Sequence, residues 1–262
     1  MSVLCVVDPV YVRVTQLRDV VYVVCERTST ILRFNATTHR LTDVNVMDLG
    51  QPRDIVACER TSQLYVADDE ECVWRVSADG TDMKHWLPKS PDDSFKPWTL
   101  SVTSTRLLVT SRDTSQLRQF DADGDELRRV HLLRNTYPQH SEESPTGTFI
   151  VSRYSEQLEQ GEIVEVNTGG EVLRQFSGSH LTSLSWPPCV AVDSHGNIFV
   201  VDQDNRRILL LDDHLSLRRV IIDEHQLNYK KPRCLCYRED KGQLLVALYN
   251  SSAVAVFDVL CR

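Results

Sequence analysis

The fold is decided by the stretch Ile198-Phe199-Val200-Val201, because a run of the same character recurs along the whole chain. Each copy has four mostly apolar residues with valine in third place, and the other copies are Val21-Tyr22-Val23-Val24, Leu64-Tyr65-Val66-Ala67, Leu107-Leu108-Val109-Thr110, Phe149-Ile150-Val151-Ser152 and Leu244-Leu245-Val246-Ala247. The six valines are separated by 43, 43, 42, 49 and 46 residues. Short runs rich in β-branched and aromatic residues predict buried strands, and a near-constant spacing of this length predicts a repeat architecture.

A second short apolar segment follows each run and ends at Phe34, Val76, Phe120, Val166, Leu211 or Phe257. The next residue is Asn35, Ser77, Asp121, Asn167, Asp212 or Asp258. Side chains of these types bond to nearby backbone and start turns. Proline, which suits the first residue of a strand, precedes four of the valines by 12 to 14 residues, at Pro52, Pro97, Pro188 and Pro232. Each unit therefore predicts four short antiparallel strands, the pattern of a propeller blade.

The six units predict an all-β, six-bladed β-propeller that forms a single domain over residues 1–262. The expected blades cover residues 10–49, 50–95, 96–138, 139–185, 186–230 and 231–262. The last unit has room for only three strands, whereas the apolar segment 3–7 at the other end of the chain lacks a blade. We expect this N-terminal strand to complete the last blade, because that pairing removes an exposed sheet edge.

The fifth unit carries a more specific motif, PCVAVDSHGNIFVVDQDNRRI at residues 188–208, which resembles an NHL repeat. The second unit, residues 52–76, is similar, although Ser62 replaces the turn glycine and Glu71 replaces the later asparagine. The resemblance implies an NHL propeller like the C-terminal domain of tripartite-motif proteins. Such modules bind proteins or structured RNA, and a minority branch consists of lyases and lactonases.

Composition narrows the classes of function. The chain has 37 acidic and 29 basic side chains, for a formal net charge of −8, so its long-range field repels polyanions and acidic membranes. Its longest apolar runs fall far short of the roughly 20 residues that span a bilayer. The first residues lack the basic start of a secretory signal, and the eight cysteines include no Cys-x-x-Cys pair. These features predict a cytoplasmic protein with reduced thiols.

Motifs for catalysis are absent: the chain has no Gly-x-Ser-x-Gly, no phosphate-binding loop and no His-Glu-x-x-His. We therefore expect a protein that is not an enzyme and binds no cofactor or metal. A lyase-like zinc site built from His140, His180 and His225 is the alternative, but these residues lie 11, 20 and 21 positions before their valines. We expect them to be surface or turn histidines. The acids at 68–71 and Asp202 could bind calcium as in lactonase-like propellers, but solvated charges are the simpler interpretation.

Function is expected at the loops between second and third strands and between blades, because loops on a rigid scaffold usually carry recognition. The partner-binding residues predicted there are Arg112, Arg153, Tyr154, Trp186, Lys230, Arg233 and Tyr249. Arginine and aromatic residues dominate interface hot spots and also stack on bases. The net charge favours a protein partner, with RNA as the alternative. We expect a monomer that acts as a scaffold or substrate-recognition module. Trp98 and Trp186 could instead pack between blades, and Arg128-Arg129 and Arg218-Arg219 are expected to protect outer edge strands from pairing.

Overall fold

The protein is an all-β propeller of six blades, each a four-stranded antiparallel sheet, as the repeat predicts. The computed structural model describes residues 2–5, 12–25, 28–35, 40–45, 49–87, 94–103, 105–133, 136–157, 159–179, 182–187, 189–251 and 253–259. Within each blade the strands follow one another in sequence order. The exception is the last blade, in which the N-terminal strand is the fourth member.

The first three blades follow the N-terminal strand β1 (Ser2–Cys5). Blade one contains β2 (Val12–Leu17), β3 (Val20–Cys25), β4 (Thr30–Asn35) and β5 (Arg40–Asn45). Blade two contains β6 (Pro52–Cys58), β7 (Gln63–Asp68), β8 (Val73–Ser77) and β9 (Met83–Leu87). Blade three contains β10 (Thr99–Val102), β11 (Leu107–Ser111), β12 (Gln116–Phe120) and β13 (Glu126–His131).

The last three blades include a small extra hairpin. Blade four contains β14 (Thr136–Glu143), β15 (Phe149–Ser155), β16 (Gln160–Val166) and β17 (Val172–Phe176), and is followed by the hairpin strands β18 (Gly178–Ser179) and β19 (Thr182–Ser183). Blade five contains β20 (Val190–Val192), β21 (Ile198–Asp202), β22 (Arg207–Leu211) and β23 (Leu217–Ile222). Blade six contains β24 (Pro232–Arg238), a 3-10 helix (Glu239–Lys241), β25 (Gln243–Leu248) and β26 (Ala253–Asp258).

The first strand of the fourth blade begins at Thr136, within a few residues of the expected boundary near 139. Strand β14 starts at Thr136 and pairs through Pro138 with Arg153, and its register then shifts at Gln139 before pairing resumes at His140. The same shift follows Pro52 in β6 and Pro232 in β24. Pro52 and Pro232 are the first paired residues of their strands, as expected for a residue that cannot donate a hydrogen bond, whereas β14 starts two residues before Pro138.

The six repeated valines occupy one equivalent core position, which confirms the register of the repeat. Each lies in the second strand of its blade, is at most 2% exposed, and pairs with a residue of the first strand. The pairs are Val14 with Val23, Ile55 with Val66, Leu100 with Val109, Ser141 with Val151, Val190 with Val200 and Leu235 with Val246.

The turns after the third strands use the predicted side chains. The carboxylate of Asp121 accepts hydrogen bonds from the backbone N–H groups of Asp123, Gly124 and Asp125. Asn167 and Asp212 accept equivalent bonds in blades four and five. Such side-chain bonds replace backbone partners at the point where the chain reverses. The exposed Arg128-Arg129 and Arg218-Arg219 follow in the outer strands β13 and β23, where the sequence placed them.

The ring of blades is closed by the N-terminal strand, as predicted. Strand β1 pairs antiparallel with β26, with Ser2 opposite Val256 and Cys5 opposite Ala253. Residues 6 and 7 of the expected closing segment lie outside the described residues. Because β1 covers the edge of β26, the termini of the propeller are joined by backbone hydrogen bonds rather than by side-chain packing alone.

Deletion of residues 1–7 should destabilise the protein, because it exposes the edge of β26 along Ala253 to Val256. A loss of about 2 kcal/mol would lower the melting temperature by roughly 4–8 °C in a domain of this size. Thermal unfolding followed by circular dichroism measures the change. A melting temperature equal to that of the intact chain would contradict the closing role of β1.

Candidate functional site

The loops of the propeller lie at two ends, because successive antiparallel strands run in opposite directions. We call the end that carries the loops between second and third strands and the connections between blades the rim face. The opposite end carries the turns between first and second strands, and we call it the mouth face. Six of the seven predicted partner-binding residues belong to the rim face, whereas a cavity of the central channel opens at the mouth face.

One group of rim side chains alternates cationic and aromatic residues across blades two to four. The guanidinium of Arg53 lies 5.0 Å from the centre of the Trp98 ring, and that of Arg112 lies 5.4 Å from Trp98 and 5.4 Å from Tyr137. Trp98 is half-buried, in a cleft of about 200 Å³ that Asp69 also lines. Cation–π contacts orient these rings and leave their edges at the surface. We call these four residues the rim ladder.

A second group of rim residues lies between blades four and five. The rings of Tyr154 and Trp186 are 5.3 Å apart and inclined by 34°, and both are half-buried. The hydroxyl of Tyr137 donates a hydrogen bond of 2.7 Å to Glu156 in the loop that follows Tyr154. Tyr154 and Trp186 therefore continue the rim ladder. Trp98 and Trp186 each contact a residue of a neighbouring blade and keep part of their surface exposed.

A third group lies between blades five and six. Lys230 is exposed and its ammonium donates to the hydroxyl of Ser251 at 2.9 Å. Arg233 donates to the side chain of Gln203, and Tyr249 is tied through its backbone N–H to Lys231. The structure thus distributes six of the seven predicted binding residues over three neighbouring groups on one face.

The seventh residue, Arg153, is not a surface residue. It lies within β15, is 5% exposed, and pairs with the carboxylate of Glu162 at 2.9 Å. Blade five has the same ion pair with the charges exchanged, because Asp202 pairs with Arg207 at 2.7 Å in the equivalent strands. Arg153 therefore stabilises a blade and offers little surface to a partner.

Of the acids expected to be solvated, Asp69 and Glu70 are exposed, whereas Asp68 and Asp202 are internal. Asp68 is 1% exposed and accepts hydrogen bonds from the backbone of Glu70 and Cys72 and from the indole of Trp74. Asp202 is fully buried and accepts from Ser185 as well as from Arg207. Each carboxylate holds a rim loop against its blade. Their oxygens are already bonded to the protein, and the described residues contain no cluster of three metal-binding side chains.

The central channel contains a cavity of about 720 Å³ that the sequence did not reveal. It is lined by the first strands of all six blades. Its lining continues into turns of the mouth face, through Asp19, Glu59 and Asp240, and includes no rim loop. The cavity is therefore open at the mouth face, where Arg18 and Arg238 lie beside the acids, and its lining ends before the rim loops.

A ring of six polar side chains lies at the closed end. Each member precedes the first-strand residue that pairs with a repeated valine, and all are at most 6% exposed. The members are Arg13, Asp54, Thr99, His140, Cys189 and Cys234. We call this set the channel ring. Because the position is equivalent in every blade, one polar side chain per blade reaches the same level of the channel.

Contacts between neighbouring blades hold the channel ring together. The carboxylate of Asp54 accepts from the N–H groups of Ile55 and Leu100 and lies 3.7 Å from Arg13. Burial raises the pKa of Asp54 to about 7, although the charge of Arg13 and the two N–H donors oppose that rise. The hydroxyl of Thr99 donates to the carbonyl of Gln139. Hydrogen bonds thus join Asp54 and Thr99 of the ring to backbone groups of the next blade.

His140 belongs to this ring and is not the surface or turn residue that the sequence predicted. Its Nε2 lies 3.1 Å from the carbonyl oxygen of Leu100, so that nitrogen donates a hydrogen bond. Burial, and then the charge of Arg13, lower the pKa of His140 to about 3. His225 lies in an exposed turn and bonds to the hydroxyl of Tyr229, whereas His180 lies outside the described residues. The structure does not bring His140 and His225 together as zinc ligands.

Glu142 lines the cavity two residues after His140 in β14, on the same face of the strand. Burial raises the pKa of Glu142 to about 8. The folded protein therefore retains a proton that the unfolded chain releases near pH 4–5. The contribution of Glu142 to the free energy of unfolding is greatest below that pH and decreases as the pH rises to about 8. In Glu142→Gln, we expect the free energy of unfolding to fall less between pH 5 and pH 8 than in the wild type, by about 3–4 kcal/mol. Urea unfolding at both pH values measures the difference, and identical pH dependence would contradict the assignment.

Comparison with known proteins shows the fold and no family. No family model and no curated protein matches the chain. Among solved structures it is similar to a catalytically inactive virginiamycin B lyase from Staphylococcus aureus with quinupristin, with a TM-score of 0.69 and 12% identity over 95% of this chain and 80% of that chain. It is also similar to the Cps50 (Swd1) β-propeller domain of Myceliophteria thermophila (TM-score 0.65, 11% identity, 95% and 83% covered). A chain of a nidogen/laminin complex gives a TM-score of 0.64 at 15% identity, with 82% and 81% covered.

These neighbours include a lyase and a chain of a protein complex, so the fold does not choose between an enzyme and a binding protein. In the described part of the chain, no helix is long and apolar enough to cross a bilayer.

Proposed function

We propose that the protein is a non-catalytic, NHL-like protein-interaction module that acts as a scaffold or recognises a substrate protein through its rim face. The observation that carries the proposal is the rim ladder, in which Arg53, Trp98, Arg112 and Tyr137 form one continuous cationic and aromatic surface. Together with Tyr154 and Trp186 it covers the junctions of blades two to five. Oriented aromatic and arginine side chains on a rigid frame are the usual anchors of protein interfaces.

The charge pattern of the rim favours protein over RNA. Lys96 lies 2.6 Å from Glu71, and Lys231 lies 2.7 Å from Asp204, so two of the rim cations are already neutralised by acids. Further carboxylates, those of Asp69 and Asp113, line the cleft beside Trp98. A phosphate backbone would meet these negative charges, whereas a protein segment with its own mixed charges could pair with both signs.

The proposal is tested with Arg112→Glu combined with Lys230→Glu. Both side chains lie on the rim face, and the double variant reverses two charges there. We expect proteins captured by the immobilised wild type to bind at least tenfold more weakly to the variant, and to do so equally before and after nuclease treatment. Isothermal titration calorimetry or surface plasmon resonance with an identified partner gives the affinities.

The matched control is Arg128→Glu combined with Arg218→Glu, which makes the same charge change on the exposed outer strands β13 and β23. This control should retain the partner. Equal loss in both variants would show a general charge effect. Retention in both would exclude the rim face, and capture that disappears after nuclease treatment would favour an RNA partner.

A further inference from the structure

Two thiols of the channel ring lie in contact across a blade junction. Cys189 precedes β20 of blade five, Cys234 lies in β24 of blade six, and their Sγ atoms are 3.5 Å apart. The backbone N–H of Leu235 also points at the sulfur of Cys189, at 3.5 Å. A disulfide has an S–S distance of about 2.05 Å, so closing the gap needs a movement of about 1.5 Å. The backbone of each cysteine is fixed by its strand, because Cys234 lies in β24 and Cys189 directly precedes β20.

The pair is buried from bulk solvent but lines the cavity. Cys189 is 1% exposed and Cys234 is 5% exposed, and both belong to the lining of the channel. A small neutral oxidant can therefore reach them through the mouth face. Cys58 and Cys72 are equally buried thiols, but neither lines this cavity.

The surroundings favour one thiolate in the pair. The thiol of Cys189 donates towards Cys234, and the guanidinium of Arg13 adds a hydrogen bond and a positive charge, so the pKa of Cys234 is lowered although burial opposes it. The pKa of Cys189 is raised, first by its bond to Cys234 and then by burial. One proton shared between two sulfurs is the usual behaviour of coupled thiols. A thiolate is the form that reacts with oxidants.

We propose that Cys189 and Cys234 are an oxidation site, at which a hydroperoxide that enters the channel converts the two thiols into a disulfide joining blades five and six. The thiolate of Cys234 attacks the peroxide oxygen and displaces hydroxide, which leaves a sulfenic acid. The sulfur of Cys189 then attacks that of Cys234, and water leaves. In total, two thiols lose two electrons and two protons, and one hydrogen peroxide becomes two waters.

The test uses the reduced full chain and hydrogen peroxide. We expect the folded protein to lose 2 Da, and the number of thiols alkylated after denaturation to fall from eight to six. Tryptic digestion should link the peptide 175–206 to the peptide 234–238, and dithiothreitol should restore both. Because the second peptide also contains Cys236, the Cys236→Ser variant is digested in parallel and should give the same link.

The variants Cys189→Ser and Cys234→Ser should each abolish the loss of 2 Da, while Cys58→Ser should retain it. Circular dichroism shows whether each variant is folded. The proposal would be overturned by a folded wild type that keeps eight thiols under excess peroxide, by oxidation that stops at a gain of 16 Da, or by a link that persists in Cys234→Ser. Because the channel and the rim face are separate, loss of partner binding in the rim variant leaves this result unchanged.

Discussion

The Val200→Asp variant should fail to fold. Val200 is fully buried in β21 and packs in a cluster with Ile150, Ile163 and Leu209. An aspartate there would place a carboxylate among apolar side chains with no hydrogen-bond donor, which costs several kcal/mol. That is comparable with the whole stability of an ordinary domain, about 5–15 kcal/mol. Urea unfolding and circular dichroism measure the effect.

The matched control is Val220→Asp in β23 of the same blade. Val220 is 43% exposed, so the same chemical change leaves the new carboxylate in water. We expect a change within about 0.5 kcal/mol of the wild type. Similar stability of the Val200 and Val220 variants would contradict the register that places every repeated valine in the core.

The Arg153→Met variant should destabilise the protein by about 3–5 kcal/mol, because it leaves the carboxylate of Glu162 buried without its cation. Glu162 is 1% exposed and pairs directly with Arg153 across β15 and β16. Denaturant unfolding measures the loss. Removing one charge from an exposed pair is the control: Arg129→Met breaks the contact with Glu126, in which the side chains are 43% and 30% exposed. That loss should be at most about 1 kcal/mol.

Exchange of the charges provides a sharper test of the Arg153 interpretation. The double variant Arg153→Asp with Glu162→Arg reproduces the arrangement that Asp202 and Arg207 have in blade five. It should recover at least half of the stability that Arg153→Met loses. A double variant as unstable as the single one would show that the two blades are not equivalent at this position.

The architecture could be predicted from sequence because it depends on a repeated apolar pattern. Val23, Val66 and the four equivalent valines are buried in the second strands, and Asp121 and Asp212 start the expected turns. Such features depend on strand periodicity and local turn chemistry, which a sequence expresses directly. The pairing of β1 with β26 followed from counting strands.

Burial of individual polar residues could not be predicted in the same way. Arg153 and Asp202 come directly after the apolar runs 149–152 and 198–201, where a loop was expected, yet both still belong to their strands and cross-strand partners keep them inside. The partners are fixed by pairing across a hairpin, which local sequence does not specify to the residue. His140 was expected in the connection that enters blade four, whereas it lies within β14, directly after the register shift at Gln139.

The channel ring has a signal that the repeat alignment could have exposed. Its members occupy one column when the first strands are aligned by their pairing to the valines, and this column contains Arg13, Asp54 and His140 in otherwise apolar surroundings. Recognising it requires the register of the first strand, whose spacing from the valine varies with the length of the turn. That length became certain only with the structure.

The pairing of β1 with β26 also sets the order in which the molecule can be completed. Ser2 to Cys5 leave the ribosome before the rest of the propeller, but their partners, Ala253 to Val256, are made about 250 residues later. At about 5–20 residues per second, the first strand waits roughly 10–50 s with its backbone groups unpaired. Five blades can form during translation, whereas the sixth cannot acquire its fourth strand until synthesis has passed Val256. Nascent chains are therefore open rings, and a chaperone that binds extended segments would find its target at the N-terminus.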